Sequence, residues 1–284
     1  MSHRYLRFPG GKLKAVTLSY DDGVSADLRL LEIMERYGIR GTLNVCTSFV
    51  GKEGRLDYRD LAERVLARGH EVAVHGATHM AAGAAPTTTA LVREYYECRR
   101  DLEGALATVI RGMAYPNSGI TLMHNGRTYP EIRALLEGIG IAYARTLGGD
   151  NNRYLLPTDL YAWMPTAHHK NPNLLAWATE FATMAEPPYC SARYPRLFYL
   201  WGHSYEFDRD NNWELLERFC DTVGGREDIY YATNIEIADY MMAYNAIIES
   251  VDGRTLCNPT ARPLYFDLDN TLCELRPGET ATFA

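Results

Sequence analysis

An apolar alternation, Leu13-Lys14-Ala15-Val16-Thr17, runs into Leu18-Ser19-Tyr20-Asp21-Asp22-Gly23. Two adjacent carboxylates at the end of a strand point in different directions and can take different parts in one site. Held close they repel each other, and a cation beside them relieves the repulsion. Asp-Gly is equally a common turn dipeptide, so the pair decides nothing alone. A second strand pattern delivers His75-Gly76-Ala77-Thr78-His79. Two histidines four apart meet on one face of a helical turn and present two imidazoles to one metal ion. Two histidines and one carboxylate leave positions open for water and substrate, the arrangement of a catalytic rather than a structural metal centre. A third apolar strand, Phe198-Tyr199-Leu200-Trp201-Gly202, ends on His203.

These residues need a scaffold that brings several strand ends to one mouth. The chain has 284 residues, 46% hydrophobic and 23% charged, enough to bury a full-sized core. Strand and helix patterns alternate: strands at 14–20, 41–46, 71–74, 112–115, 141–145, 160–164, 196–201 and 229–232, with helices between them. That order predicts an α/β fold, a distorted (β/α) barrel of about seven strands over residues 1–250, with chemistry on the loops after the strands. Beyond it, residues 251–284 read as a short C-terminal β-rich extension packed on the barrel, its strands separated by Asn-Pro, Asp-Asn and Pro-Gly turns.

The net charge of -7, without a Lys/Arg cluster, argues against nucleic acid as a partner. No apolar run approaches the roughly 20 residues of a membrane helix, and no signal-peptide pattern is visible, so a cytoplasmic location is expected. The six cysteines are scattered without a C-x-x-C pair and are expected to be free thiols.

The three motifs together resemble the polysaccharide deacetylase family, carbohydrate esterase family 4. Ser19-Tyr20-Asp21-Asp22-Gly23 is similar to its T-F-D-D-G motif, His75-Gly76-Ala77-Thr78-His79 to H-[ST]-x-x-H, and Leu200-Trp201-Gly202-His203 to its closing leucine-histidine motif. The resemblance covers roughly residues 12 to 232. It implies that Asp22, His75 and His79 hold a divalent metal, that Asp21 is the general base, and that His203 is the acid protonating the leaving amine. Zinc is the ion expected for such ligands; cobalt, nickel and iron suit the same set. The family's third motif, R-x-P-[YF], corresponds to Met113-Ala114-Tyr115-Pro116-Asn117-Ser118-Gly119, which has no arginine in register; Arg111 lies three residues too early. Tyr115, Pro116 and Asn117 are expected to supply the oxyanion and substrate contacts, Trp163 and Trp201 to line the cleft, and Asp159 to be an acidic partner of His203.

The implied activity is metal-dependent removal of N-acetyl groups from an N-acetylated oligo- or polysaccharide. Hydrolysis of another non-peptide C–N bond, of ureide or formamide type, and a non-catalytic carbohydrate-binding relative are the alternatives. Phe266-Asp267-Leu268-Asp269-Asn270-Thr271-Leu272 looks like a haloacid-dehalogenase nucleophile motif, but the 12 residues after it cannot hold the rest of such a domain. A strand and an Asp-Asn turn are expected there instead.

Overall fold

The computed structural model describes residues 3–117, 120 and 127–283. Its strands are β1 (Arg4–Arg7), β2 (Lys14–Asp21), β3 (Gly41–Val45), β4 (Glu71–Val74), β5 (Gly112–Ala114), β6 (Tyr143–Arg145), β7 (Ala167–His168), β8 (Arg196–Gly202) and β9 (Ile229–Tyr231). Five more follow: β10 (Ile248–Glu249), β11 (Thr255–Cys257), β12 (Leu264–Leu268), β13 (Thr271–Leu275) and β14 (Thr280–Thr282). Strands β2 to β9 form one parallel sheet in the order β6-β5-β4-β3-β2-β8-β7, with β9 also paired to β2. The sheet curls until its two edges are joined by a single stretch of chain. Trp163 bridges Arg145 of β6, and the strand four residues later pairs with β8. The fold is thus the distorted α/β barrel expected from the alternation of elements.

The strand expected at 160–164 takes another form. Leu160–Ala162 is a 3₁₀ turn, Trp163 alone bonds to β6, and the strand begins at Ala167. Pro165 lies between the two pairings and has no N–H to offer a ladder.

Every residue of β2 is buried, and its two faces do different work. Val16, Leu18 and Tyr20 pack into the main core with Leu30, Leu31 and Met34 of the helix Asp27–Arg36. The alternate residues Thr17, Ser19 and Asp21 make polar contacts instead. Thr17 Oγ1 bonds Asn234 Oδ1 at 2.7 Å, and Asn44 Nδ2 donates to Ser19 Oγ at 2.7 Å. The two-residue period of a strand therefore carries a row of satisfied polar groups up to Asp21.

Two small antiparallel sheets complete the chain, β1-β12-β13 and β10-β11-β14. The strand β1 was not evident in the sequence; its partner lies some 260 residues away, with Arg4 opposite Leu268. The phosphatase-like stretch is a hairpin in which Leu268 pairs with Thr271 across a two-residue turn. Both turn residues, Asp269 (φ 48°) and Asn270 (φ 72°), are left-handed, as the twist of a tight hairpin favours. Asp267 is fully buried and is held by Arg7 at 3.0 Å and Arg193 at 2.9 Å.

That ion cluster ties the first strand to the C-terminal hairpin. Asp267→Asn leaves Arg7 buried beside the half-exposed Glu186 alone, and is expected to lower the unfolding free energy by about 3–5 kcal/mol. Urea denaturation checks this.

Candidate active site

The expected acidic pair does diverge at the end of β2. Asp22 has a φ of 82°, a conformation rarely adopted outside glycine, while its N–H still donates to Asn44 O at 2.9 Å. Asp21 points at Arg145, whose Nη2 donates to both carboxylate oxygens at 2.7 and 2.5 Å, and Asn44 Nδ2 adds a bond at 2.8 Å. Asp22 points the other way, with Oδ1 3.2 Å from His79 Nε2 and 3.7 Å from His75 Nε2.

The two histidines meet, but on a loop and not on a helical turn. His75 follows β4, and the chain then turns through Gly76 (φ 85°) and His79 (φ 66°). Glu94, nearly fully buried, gathers this loop. Its Oε1 accepts from the Thr78 and Met80 N–H groups at 3.0 and 2.8 Å, and its Oε2 accepts from Thr78 Oγ1 at 2.7 Å. A β-carbon on Gly76 would fall 2.3 Å from Glu94 Oε1, so only glycine fits this close approach.

Asp22, His75 and His79 offer three donor atoms within 4.8 Å of one another. The donors suit a divalent metal. His75 Nδ1 faces Ala114 O at 2.9 Å, which places the ring proton on Nδ1 and leaves the Nε2 lone pair turned to Asp22. Asp22 Oδ1 is buried without a hydrogen bond among the described residues. Burial pushes the His75 pKa down, favouring the neutral, ligating form. Burial works against the Asp22 carboxylate too, but His79 and His75 outweigh it and bring its pKa to about 2. For Asp21 burial is likewise overcome, here by Arg145 first and then His75 and His203, and its pKa falls below the usual carboxylate range.

His203 follows β8, with Nε2 4.0 Å from Asp21 Oδ2 and Nδ1 3.8 Å from Glu206 Oε2. Burial disfavours its charged form, yet Glu206, Asp21 and Asp22 together raise its pKa above the ordinary imidazole value. Asp159 is not the acidic neighbour: it accepts from Tyr129 Oη at 2.5 Å and Arg133 Nη1 at 3.2 Å. Glu206, three residues beyond His203 on the first turn of a helix, stands there instead.

The remaining expected residues divide. Asn117 is exposed with φ 55°, and its Nδ2 donates to His79 O at 2.7 Å, so it and the buried Pro116 lie beside the loop. Ser118 and Gly119 of the same run lie outside the described residues. Tyr115 is buried and donates to Tyr161 O at 2.9 Å. Trp163 is buried edge-on between Tyr143 and Tyr199 in the second core cluster. Trp201 is half-buried, with the Arg145 guanidinium over its ring at 4.5 Å.

The arginine that the third motif lacks is therefore present as Arg145, wholly buried. Arg111 is engaged elsewhere, with Asp239 at 2.7 Å. Arg145 ends an apolar strand pattern at 141–145, and that position at a strand's C-terminal end was the signal for it in the sequence.

Fold and site define a distorted α/β barrel with a candidate metal centre at the strand ends. The family model for polysaccharide deacetylase matches residues 4–129. This bears out the resemblance drawn from the motifs, and the matched span holds Asp21, Asp22, His75 and His79 but not Arg145 or His203. No curated protein sequence matches the chain. Among solved structures, a candidate polysaccharide deacetylase from Mycobacterium smegmatis is 17% identical with a TM-score of 0.58, covering 85% of this chain and 94% of that one. Puue allantoinase is 14% identical with a TM-score of 0.56, over 82% of this chain and 91% of its own. A family 4 acetyl xylan esterase from Clostridium thermocellum, in complex with a cobalt ion, is 14% identical with a TM-score of 0.50, over 81% and 92%. At these identities the likeness is one of fold.

Arg145 is what keeps a buried Asp21 ionised. In metal-free protein, Asp21 should titrate below the ordinary carboxylate value, and Arg145→Met should raise its midpoint by about 1–3 units, because burial is then unopposed by the guanidinium. Carboxyl carbon NMR measures both midpoints; equal values would remove this role from Arg145.

Proposed function

We propose that this protein is a metal-dependent hydrolase that removes N-acetyl groups from an N-acetylated oligo- or polysaccharide. The observation that carries the reading is the meeting of Asp22, His75 and His79 next to an arginine-held Asp21 and to His203. Each of the groups that amide hydrolysis needs is present within one mouth, and the family match over residues 4–129 supports the same reading.

Asp22, His75 and His79 would hold the divalent ion, with zinc the best fit to two imidazoles and one carboxylate. Such an ion supplies Lewis acidity to a carbonyl oxygen and lowers the pKa of water. Asp21 takes the proton from the attacking water, its carboxylate kept charged and oriented by Arg145 and Asn44. His203 presents Nε2 on the same side and gives a proton to the departing nitrogen. The backbone N–H of Asn117, on the turn set by Pro116, is the candidate donor to the developing oxyanion.

Saccharide rings offer C–H faces to aromatic side chains. Tyr205, exposed beside His203, borders a surface cleft of about 430 Å³ with Val24, Ser25, Gly54, Arg55 and Asp208. Arg55 donates to Asp22 O at 3.0 Å, so the cleft adjoins the acidic pair. Trp201 is taken up by Arg145 over its ring and by His168 against it.

The test is acetate release from N-acetylglucosamine oligomers with protein as purified, after chelation, and after zinc is restored. Loss on chelation and recovery with zinc are expected. No release from protein shown to hold metal would overturn the saccharide reading in favour of another amide or ureide. Two variants separate the roles. Asp21→Asn should retain metal and lose about 10²–10⁴-fold in kcat. His79→Ala should lose the metal itself, as read by elemental analysis.

A further inference from the structure

Three donor groups of different chemistry meet outside the mouth of the barrel. Cys190 opens the 3₁₀ turn Cys190–Ala192 ahead of β8, His3 precedes β1, and Asp269 is the first residue of the turn between β12 and β13. Cys190 comes before β8 and His203 after it, so the group lies toward the strand starts. His3 Nδ1 is 3.5 Å from Cys190 Sγ and 3.6 Å from Asp269 Oδ1. The thiol, the imidazole and the carboxylate each offer a donor atom within 4.8 Å of the other two. Cys190 is a free thiol, and the side chains of His3 and Asp269 are 38% and 50% exposed, so ions in solution reach the group.

The spacing is that of ligands rather than of hydrogen-bonded partners. A nitrogen and an oxygen 3.6 Å apart are too distant for a hydrogen bond. One ring nitrogen, moreover, has a single hydrogen or a single lone pair to share between Cys190 and Asp269. A tetrahedral zinc ion sits about 2.0–2.2 Å from nitrogen and oxygen and about 2.3 Å from sulfur, which puts its ligand atoms about 3.3–3.6 Å from one another. The two separations at His3 Nδ1 match that spacing.

The backbone keeps the three side chains together. The His3 N–H donates to Asp269 Oδ1 at 2.7 Å, and the Asp269 N–H returns a bond to His3 O at 3.1 Å. This reciprocal pair locks the residue before β1 to the hairpin turn. The Cys190 turn is anchored to the same two elements. Tyr5 Oη of β1 donates to Ser191 O at 3.2 Å, and Arg193 Nε donates to Asp267 Oδ2 of β12 at 2.9 Å.

We propose that His3, Cys190 and Asp269 form a metal site separate from the mouth, which takes a zinc-class divalent ion as a clasp between β1, the loop before β8 and the C-terminal hairpin. Thiolate and imidazole select such an ion over calcium or magnesium, whose preferred ligands are all oxygens. The thiol gives up its proton to solvent on binding, and the fourth position of the ion is left to water. The inference does not rest on the role given to Asp22, His75 and His79, a ligand set without sulfur.

Sulfur is what tells the two sites apart. Cobalt(II) is titrated into the metal-free full chain, and the near-ultraviolet thiolate-to-cobalt charge-transfer band is followed. Wild type should develop the band, and added zinc should abolish it. Cys190→Ala should lack it, whereas His79→Ala, which disables the other site, should keep it. Asp269→Asn suits the same turn and can still accept from the His3 N–H. Its apparent affinity for cobalt, read from the band, should fall by about tenfold or more, at least what the loss of an outer-shell partner costs. In thermal denaturation, zinc should raise the Tm of His79→Ala but not that of the variant carrying both His79→Ala and Cys190→Ala. A wild type without the band would overturn the inference, as would a band that survives Cys190→Ala. Should Cys190→Ala not fold, Asp269→Asn decides, and an unchanged affinity there would overturn it. The band is read without substrate, so its presence or absence is independent of whether the protein releases acetate.

Discussion

The site depends on one buried ion pair, Arg145 with Asp21. Both side chains are nearly inaccessible, at 0% and 2% exposure, so each has lost its hydration. Burying two charges costs several kcal/mol apiece unless geometry and further hydrogen bonds repay it. Here the guanidinium reaches both carboxylate oxygens, Asn44 adds a third bond, and the Trp201 ring covers the cation. A carboxylate fixed in this way remains charged in a dry mouth, which is the condition for taking a proton from water at neutral pH.

The polar face of β2 leads up to that pair. Asp21 is the last of a row on β2 that begins with Thr17 and Ser19, and each member is hydrogen-bonded to a polar side chain of another element. Asn234 continues the row by donating to Tyr199 Oη at 2.5 Å. An entirely apolar interior would pack as well, but it would leave Asp21 without the neighbours that fix its direction. On the opposite face of the same strand, Val16, Leu18 and Tyr20 bury against helices and supply the stability that the polar row does not.

How much of this was legible in the sequence depended on how local the cause was. Strand ends that deliver Asp21, His75 and His203 announce themselves through apolar alternation followed by a polar residue, and the helix Trp213–Val223 and the strands of the C-terminal hairpin appear at the positions expected from pattern and turn chemistry. The hairpin turn at Asp269-Asn270 could be read because its residue types prefer left-handed backbone. Nothing local marks β1, whose partner is at the far end of the chain, and nothing local pairs Arg145 with Asp21 across 124 residues. Glu206 was the nearer miss. Its spacing of three from His203 puts the two on one face of a turn, whereas Asp159 had only its charge to recommend it.

The displaced arginine shows why a motif is better judged in space than along the chain. Ala114, in the run where an arginine was missed, is paired in register with Arg145 on the adjacent parallel strand. Parallel neighbours lie about 5 Å apart and end at the same level, so a long side chain starting one strand over can bring its guanidinium to the same carboxylate. The cation stands on β6, and its guanidinium still reaches Asp21. The strand of Ala114 serves the two histidines of the candidate site instead: the Ala114 carbonyl faces His75 Nδ1, and Asn117, just beyond, donates to the His79 carbonyl oxygen. Asp21 and the two histidines are thus oriented from two neighbouring strands, β6 and β5.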